Sequence, residues 1–400
     1  MRVKLPLVGA VLLLLVFGLA EVRADAPSVD RSDDVPVPLD IPLDRIPNYR
    51  EYMRAIVEGL SDYARARDRN VIILVRGGLE LFIKGEREFQ LEEMKDPDGV
   101  EKHRRLPLGT PMRRYIRSVD GLVIDNRYCG AALAEDKPKD KDKDKLKDKA
   151  KPAPPANSLL AEAEAAKAKA ERERVEARRT YKDRLIAKVR DQGVRLLSIE
   201  RCKTADQAAN AMSRAGRDGV LTFADAESGG RFDRLPSGRP SSENPGSVDS
   251  LQTVRNMAVM LDSRQFARRD EWIVALTRSN HDLLFIDGFH KGNESLTREE
   301  VYDLKFKRMG PRRLVLARIN VSEAQDNRYY WKKEWLVGDP GWLDAPSRRD
   351  PAATVVQYWS DDWKKIIGQY FKGLMDLGFD GVVLEGVEAY EHFEKMTPLE

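Results

Sequence analysis

Eight short runs of apolar, largely β-branched residues recur along this chain with helical patterns between them, and this alternation constrains its fold more than any other feature. The runs are Val71–Val75, Gly121–Ile124, Val194–Ile199, Gly219–Phe223, Asn256–Leu261, Asp282–Ile286, Arg313–Ile319 and Gly381–Leu384. Near-continuous hydrophobicity over so few residues is what a strand buried on both faces requires. The stretches Pro111–Ser118, Ala205–Arg217, Gln265–Ser279, Arg298–Met309 and Asp361–Leu377 read as helices. Ahead of the first run, Tyr49, Met53, Ile56, Val57, Leu60 and Tyr63 mark one helical face. Alternating β and α units imply parallel strands with crossover helices, and closure into a (β/α)8 TIM barrel is the expected α/β architecture. An open doubly wound sheet is the alternative.

The ends of the chain frame this barrel. Arg2 and Lys4 precede an apolar run from Val8 to Ala20, too short for a comfortable span, and Val22-Arg23-Ala24 offers small residues before Asp25. Residues 1–24 therefore read as a signal peptide, with an uncleaved anchor as the other reading, and 25–45 as an unstructured tether. The expected location is secreted, periplasmic or at the cell surface, with no membrane contact after cleavage. Acids and bases nearly cancel, leaving +3, which argues against a generic nucleic-acid binder. Two cysteines, Cys129 and Cys202, each lie just past a predicted strand. An oxidising compartment would allow them to pair, but sequence cannot place them within reach of each other.

The barrel, taken as 46–400, is interrupted. An insertion at 134–180 begins with a Lys/Asp/Pro/Ala-rich stretch (134–157) that cannot bury a core, and residues 158–190 read as an exposed helix projecting from the barrel. Leu235–Val248, rich in Pro, Ser and Gly, reads as a mobile surface loop.

Barrel enzymes do their chemistry at the C-terminal ends of the strands. Asp125, Glu200, Asp225, Asp287, Glu323 and Glu385 stand at or just past six of these ends. Capping of the following helices explains one or two such acids; six imply a mouth suited to a metal, a cationic substrate or paired-carboxylate acid/base catalysis. The four histidines show no metal-ligand spacing, so no metal or other cofactor is expected. Gly77-Gly78 lacks the phosphate-loop pattern and reads as a tight turn. Tyr329, Tyr330, Trp331, Trp335 and Trp342 crowd one long loop, with Trp359 and Trp363 following. The first group could offer flat faces to pyranose rings or fill a small core beneath the loop; for Trp359 and Trp363 the core is expected.

The stretch Asn256–Glu394 resembles the barrels of glycoside hydrolase family 114, the endo-α-1,4-polygalactosaminidases and their bacterial relatives. The pieces that carry the likeness are Asp282-Leu-Leu-Phe-Ile-Asp287, Leu296-Thr-Arg-Glu-Glu-Val301 and Arg312-Arg-Leu-Val-Leu-Ala317, then Ser322-Glu-Ala-Gln-Asp-Asn-Arg-Tyr-Tyr-Trp331 and Gly378-Phe-Asp-Gly-Val-Val-Leu-Glu385. These belong to the first half of that family's barrel, yet here they close the chain. Leu60–Phe82, Val119-Asp120-Gly121 and Gly193–Cys202 are similar to its second half. The resemblance implies a circular permutation, with Leu235–Val248 joining the former ends.

It further implies endo-hydrolysis of a galactosamine-containing polysaccharide. Glu323 and Glu385 are the leading catalytic pair and Asp287 the third candidate. Glu388, Tyr329 and Tyr330 become candidate substrate contacts, beside Trp331 and the strand-end acids Asp125, Glu200 and Asp225. Departures from the family pattern are Glu385 and Glu388 in place of aspartates, Arg318 in place of a tyrosine and Ser322 in place of a glycine. Val383 stands where the hydrolases carry glutamate. A non-catalytic, polysaccharide-binding barrel is the alternative function.

Overall fold

The computed structural model describes residues 41–42, 45–95, 108–130 and 159–399. The expected signal peptide, nearly all of the tether and the charged stretch 134–157 lie outside them.

All eight runs form strands of one parallel sheet: β1 (Ile72–Arg76), β2 (Gly121–Asp125), β3 (Arg195–Arg201), β4 (Leu221–Asp225), β5 (Met257–Met260), β6 (Leu283–Ile286), β7 (Leu314–Asn320) and β8 (Gly381–Glu385). Their order is β4-β3-β2-β1-β8-β7-β6-β5. The first and last strands are thus hydrogen-bonded neighbours, with Ile72 opposite Gly381, and the sheet curls until β4 and β5 approach. The barrel is nearly closed, its seam lying between β4 and β5.

Two Asp-Gly pairs show how the sequence sets this register. Asp120 accepts the Ile73 N–H (2.8 Å) and Asp380 accepts the Val315 N–H (2.9 Å), so each acid stitches its strand to a neighbour. The glycines that follow open β2 and β8. A Cβ at Gly381 would stand 2.1 Å from the Ile72 carbonyl oxygen, so no side chain fits there.

Helix α1 (Tyr49–Arg67) buries Tyr49, Met53 and Val57 against the barrel, while Tyr63, expected on the same face, is exposed. Helix α2 (Glu86–Lys95) was not anticipated; only Phe89 and Leu91 of its apolar residues are buried, too faint a pattern to read. Helices α3 (Arg113–Ser118) and α4 (Leu159–Asp191) follow. In α4 residues 166–180 are exposed, as a projecting helix should be, but Leu185, Ile186 and Val189 are buried, so its last turns pack as the crossover into β3. Helices α5 (Ala205–Asp218), α6 (Arg269–Thr277), α7 (Arg298–Leu304), α8 (Asp361–Leu377) and α9 (Tyr390–Met396) complete the set. The pattern over Arg298–Met309 overran α7, because Lys305 to Gly310 turn back so that Arg313 can donate to the Leu304 carbonyl (2.6 Å). Burial of large side chains such as Trp363 and Phe371 on α8 contributes about 1.5–3 kcal/mol each.

The segment expected as a mobile surface loop, Leu235–Val248, lies largely at the surface without helix or strand, and it is anchored at its end. Val248 and Asn244 are buried, and Lys307 Nζ donates to the carbonyls of Asn244 and Gly246, both at 2.8 Å. A seam lacking strand-to-strand hydrogen bonds is thereby held by a lysine-pinned strap. Cys129 and Cys202 form a disulfide, Cα to Cα 5.3 Å, joining the loops past β2 and β3.

Candidate active site

The mouth is built from side chains at the C-terminal ends of five adjacent strands. Arg76, the last residue of β1, donates in bidentate fashion to Asp125 at the end of β2 (2.8 and 3.1 Å) and through Nη1 to Glu385 at the end of β8 (2.6 Å). Glu385 Oε2 lies 3.3 Å from Arg318 Nε on β7. Arg318 in turn is 3.9 Å from Asp287, just past β6. Arg328 then closes on the far side of Asp287 with two hydrogen bonds of 2.9 and 2.6 Å. Acids and arginines thus alternate around the rim: Asp125, Arg76, Glu385, Arg318, Asp287, Arg328.

This row fixes protonation. Burial pushes the Asp287 carboxyl up, but the charge and hydrogen bonds of Arg328, aided by Arg318 and the Phe289 amide, hold it below the usual carboxylate range. Burial acts on Glu385 in the same way, and Arg318 and Arg76 outweigh it. Both groups stay ionised at neutral pH. Desolvation of such pairs is costly, so they are retained by mutual contact, and removal of one partner strands the other.

Glu323 differs. It begins a small antiparallel sheet (Glu323–Gln325, Ala353–Val356, Leu343–Pro346) that follows β7. Its carboxylate accepts from Asn320 Nδ2 (2.8 Å) and Ser347 Oγ (2.8 Å). Both partners are neutral, and among the described residues no cation pairs with it. Asn320 stands opposite Glu385 in the β7–β8 register, so one residue links the two carboxylates.

Two expected contacts turn inward. Glu200 is fully buried and accepts the backbone N–H groups of Arg127, Tyr128 and Cys129 at 2.8–3.0 Å. Asp225 accepts those of Glu227, Ser228 and Gly230. Both acids are spent on loops of the protein itself and shape the region around the disulfide. Glu388 accepts the Gly78 N–H (3.1 Å) and pairs with Arg349 (3.2 Å). A Cβ on Gly77 would lie 2.6 Å from the Glu388 carboxyl carbon, and Gly77 and Gly78 both have positive φ. The Gly-Gly turn therefore makes room for Glu388.

The aromatic loop divides. Trp331, Trp335, Trp342 and Trp363 form a chain of ring contacts at 5.0–5.5 Å beneath it, and Trp363 Nε1 donates to the Val321 carbonyl. Tyr330 is largely enclosed; its hydroxyl accepts the Gln325 N–H, and burial pushes its pKa up to about 12. Tyr329 is the one that faces out: it is 51% exposed and stacks on Phe289, 5.6 Å between centroids. Phe289 in turn lies under the Arg328 guanidinium, 5.6 Å from its ring centre. This places Tyr329 beside the Asp287–Arg328 end of the row.

Sequence reasoning collected the acids and passed over the cations. Arg76 ends its strand as visibly as Asp125 does, so the same walk along strand ends could have found it.

Among the described residues no helix is long and apolar enough to cross a membrane. No family model matches the chain. An uncharacterized protein of Methanocaldococcus jannaschii, MJ1477, is 35% identical over 118 residues, 30% of this chain and 34% of that protein. An uncharacterized protein of Thermotoga maritima is 28% identical over 145 residues, 34% of this chain and 44% of the relative. The chain thus spans less than half the length of the curated relatives it matches. Among solved structures, the glycoside hydrolase domain of PelA from Pseudomonas aeruginosa aligns at 15% identity over 36% of this chain and 47% of that one, with a TM-score of 0.25. A superposition that partial carries no argument about activity, and the case for function rests on the mouth itself.

Proposed function

We propose that this barrel is an exported glycoside hydrolase that cleaves a galactosamine-containing polysaccharide, with Glu323 as general acid and Glu385 as the opposing carboxylate. Glycosidic cleavage needs one carboxyl that can carry a proton and one that is ionised. The observation that carries the assignment is the contrast between neighbours: Glu385 is locked ionised by Arg76 and Arg318, while Glu323 rests on neutral donors only. Asp287, clasped by Arg328, then positions Arg328 and Arg318 and does not attack. Tyr329 offers the outward ring on which a sugar face can lie.

The permuted order of the resemblance is supported by the sheet, since its seam falls between β4 and β5, bridged by the 235–248 strap. Export is supported by the Cys129–Cys202 disulfide. A second reading, a barrel that binds polysaccharide without cutting it, is favoured by one fact: both Glu385 oxygens already face arginines. Release of reducing ends from partially de-N-acetylated poly-galactosamine separates the two. The hydrolase releases them and Glu323→Gln does not; the binder retains the polymer and releases nothing.

A further inference from the structure

Among the three arginines of the row, Arg318 is the one with donors to spare. Arg76 and Arg328 are each bidentate on an acid. The Arg318 side chain makes no hydrogen bond to any described residue: its Nε is buried without an acceptor in hydrogen-bonding geometry, and Glu385 and Asp287 balance its charge from 3.3 and 3.9 Å. Its terminal nitrogens are likewise without a hydrogen-bond partner but not fully buried, on a side chain 18% exposed. A planar fork of N–H donors held by packing and unsatisfied from within is a binding group for an acceptor-bearing ligand.

The charges around it select which ligand. Asp125, Glu385 and Asp287 are matched one for one by Arg76, Arg318 and Arg328. Glu388 faces Arg349, and Glu323 is held by Asn320 and Ser347. An ammonium brings only donors to a guanidinium that wants acceptors, and like charge repels it. A carboxylate on the fork would sit against Glu385 and Asp287, both held ionised. An uncharged group that accepts hydrogen bonds meets neither penalty.

We propose that the Arg318 fork is a specificity subsite for an uncharged, acceptor-bearing sugar unit, an N-acetylated hexosamine whose acetamido carbonyl or ring hydroxyls accept from it. This rests on the reading of the mouth as a glycan-cleaving site. It means that the enzyme seats acetylated units at its centre and rejects free amino sugars there, although cationic units can flank them.

The test is binding by the full chain, at about pH 6 where free amines are protonated, of N-acetylgalactosamine oligomers and their fully de-N-acetylated counterparts. The intact protein is expected to prefer the acetylated oligomer by about tenfold or more. Arg318→Gln removes the balancing charge and leaves the row one negative charge in excess, Asp287 staying paired with Arg328, so the preference inverts: the acetylated oligomer weakens and the cationic one tightens. Arg318→Lys keeps the charge without the fork, and weakens the acetylated oligomer about tenfold with no gain for the cationic one. Thermal unfolding of each variant checks that the fold persists. Equal binding of the two oligomers by the intact protein, or preference for the cationic one, overturns the subsite. So does a parallel loss for both oligomers in a folded Arg318→Gln. Retained preference without cleavage of any glycan upholds the subsite and counts against hydrolysis instead.

Discussion

Arg328 grips Asp287 through two hydrogen bonds, 2.9 and 2.6 Å long, across 41 residues of sequence and with both side chains almost wholly buried. Taking either partner away leaves a buried charge without compensation, at a cost of about 3–5 kcal/mol. Arg328→Met should therefore lower stability by that order, and Asp287→Asn should recover part of it when combined with Arg328→Met. Urea unfolding of the two singles and the double is the check. Additive losses would contradict direct coupling.

Glu385 keeps its charge because Arg76 and Arg318 outweigh its burial. Loss of the Arg76 cation should raise the Glu385 pKa, so the carboxylate would be lost at higher pH than before. In the pH–rate profile of Arg76→Met the acidic limb, which reports the ionised Glu385, is predicted to move upward. An acidic limb that stays in place would contradict the role given to Glu385.

His281 is 6% exposed, and burial, with help from the Arg313 charge, brings its pKa from an ordinary 6.5 down to about 4. Between those values the unfolded chain binds the proton and the folded one does not. Stability therefore falls as pH drops from about 6.5 toward 4, by about 3 kcal/mol at most. The depressed carboxyls of Asp287 and Glu385 add their own loss only at lower pH, below the ordinary carboxylate values. His281→Gln should flatten the upper part of this curve, as followed by thermal unfolding between pH 7 and 4.5.

The Cys129–Cys202 bridge closes a loop with a sequence separation of 73. On the chain-entropy view such a loop restrains the unfolded state by about 4 kcal/mol. Reduction should lower the unfolding temperature, and Cys129→Ala/Cys202→Ala should match the reduced protein and respond no further to reductant.

The strands were legible because burial on both faces writes itself as a contiguous apolar run, and α8 because its period and its Gly378 stop are local. Helix α2 was not, since Glu88 is buried there through its pair with Arg54, a partner 34 residues away that no periodicity announces. The site divided along the same line. That acids gather at strand ends could be read directly; that Glu200 and Asp225 spend themselves on backbone amides could not, because a carboxylate looks the same in sequence whether it meets an amide or a substrate. The cations were harder still: Arg76 and Glu385 lie 309 residues apart and meet only because β1 and β8 pair across the ends of the chain. Aromatic crowding in the loop marked a cluster correctly, but only Tyr329 of the tyrosine pair turned outward.

The central claim is that Glu323 donates a proton to a glycosidic oxygen opposite an ionised Glu385. The most direct measurement is reducing-end release from partially de-N-acetylated poly-galactosamine by the intact protein, Glu323→Gln and Glu385→Gln. The account predicts release by the first and a fall of about 10²–10⁴-fold in Glu323→Gln, with Glu385→Gln comparably impaired and all three folded. Release that survives in Glu323→Gln, or retention of the polymer with no release by the intact protein, would contradict it.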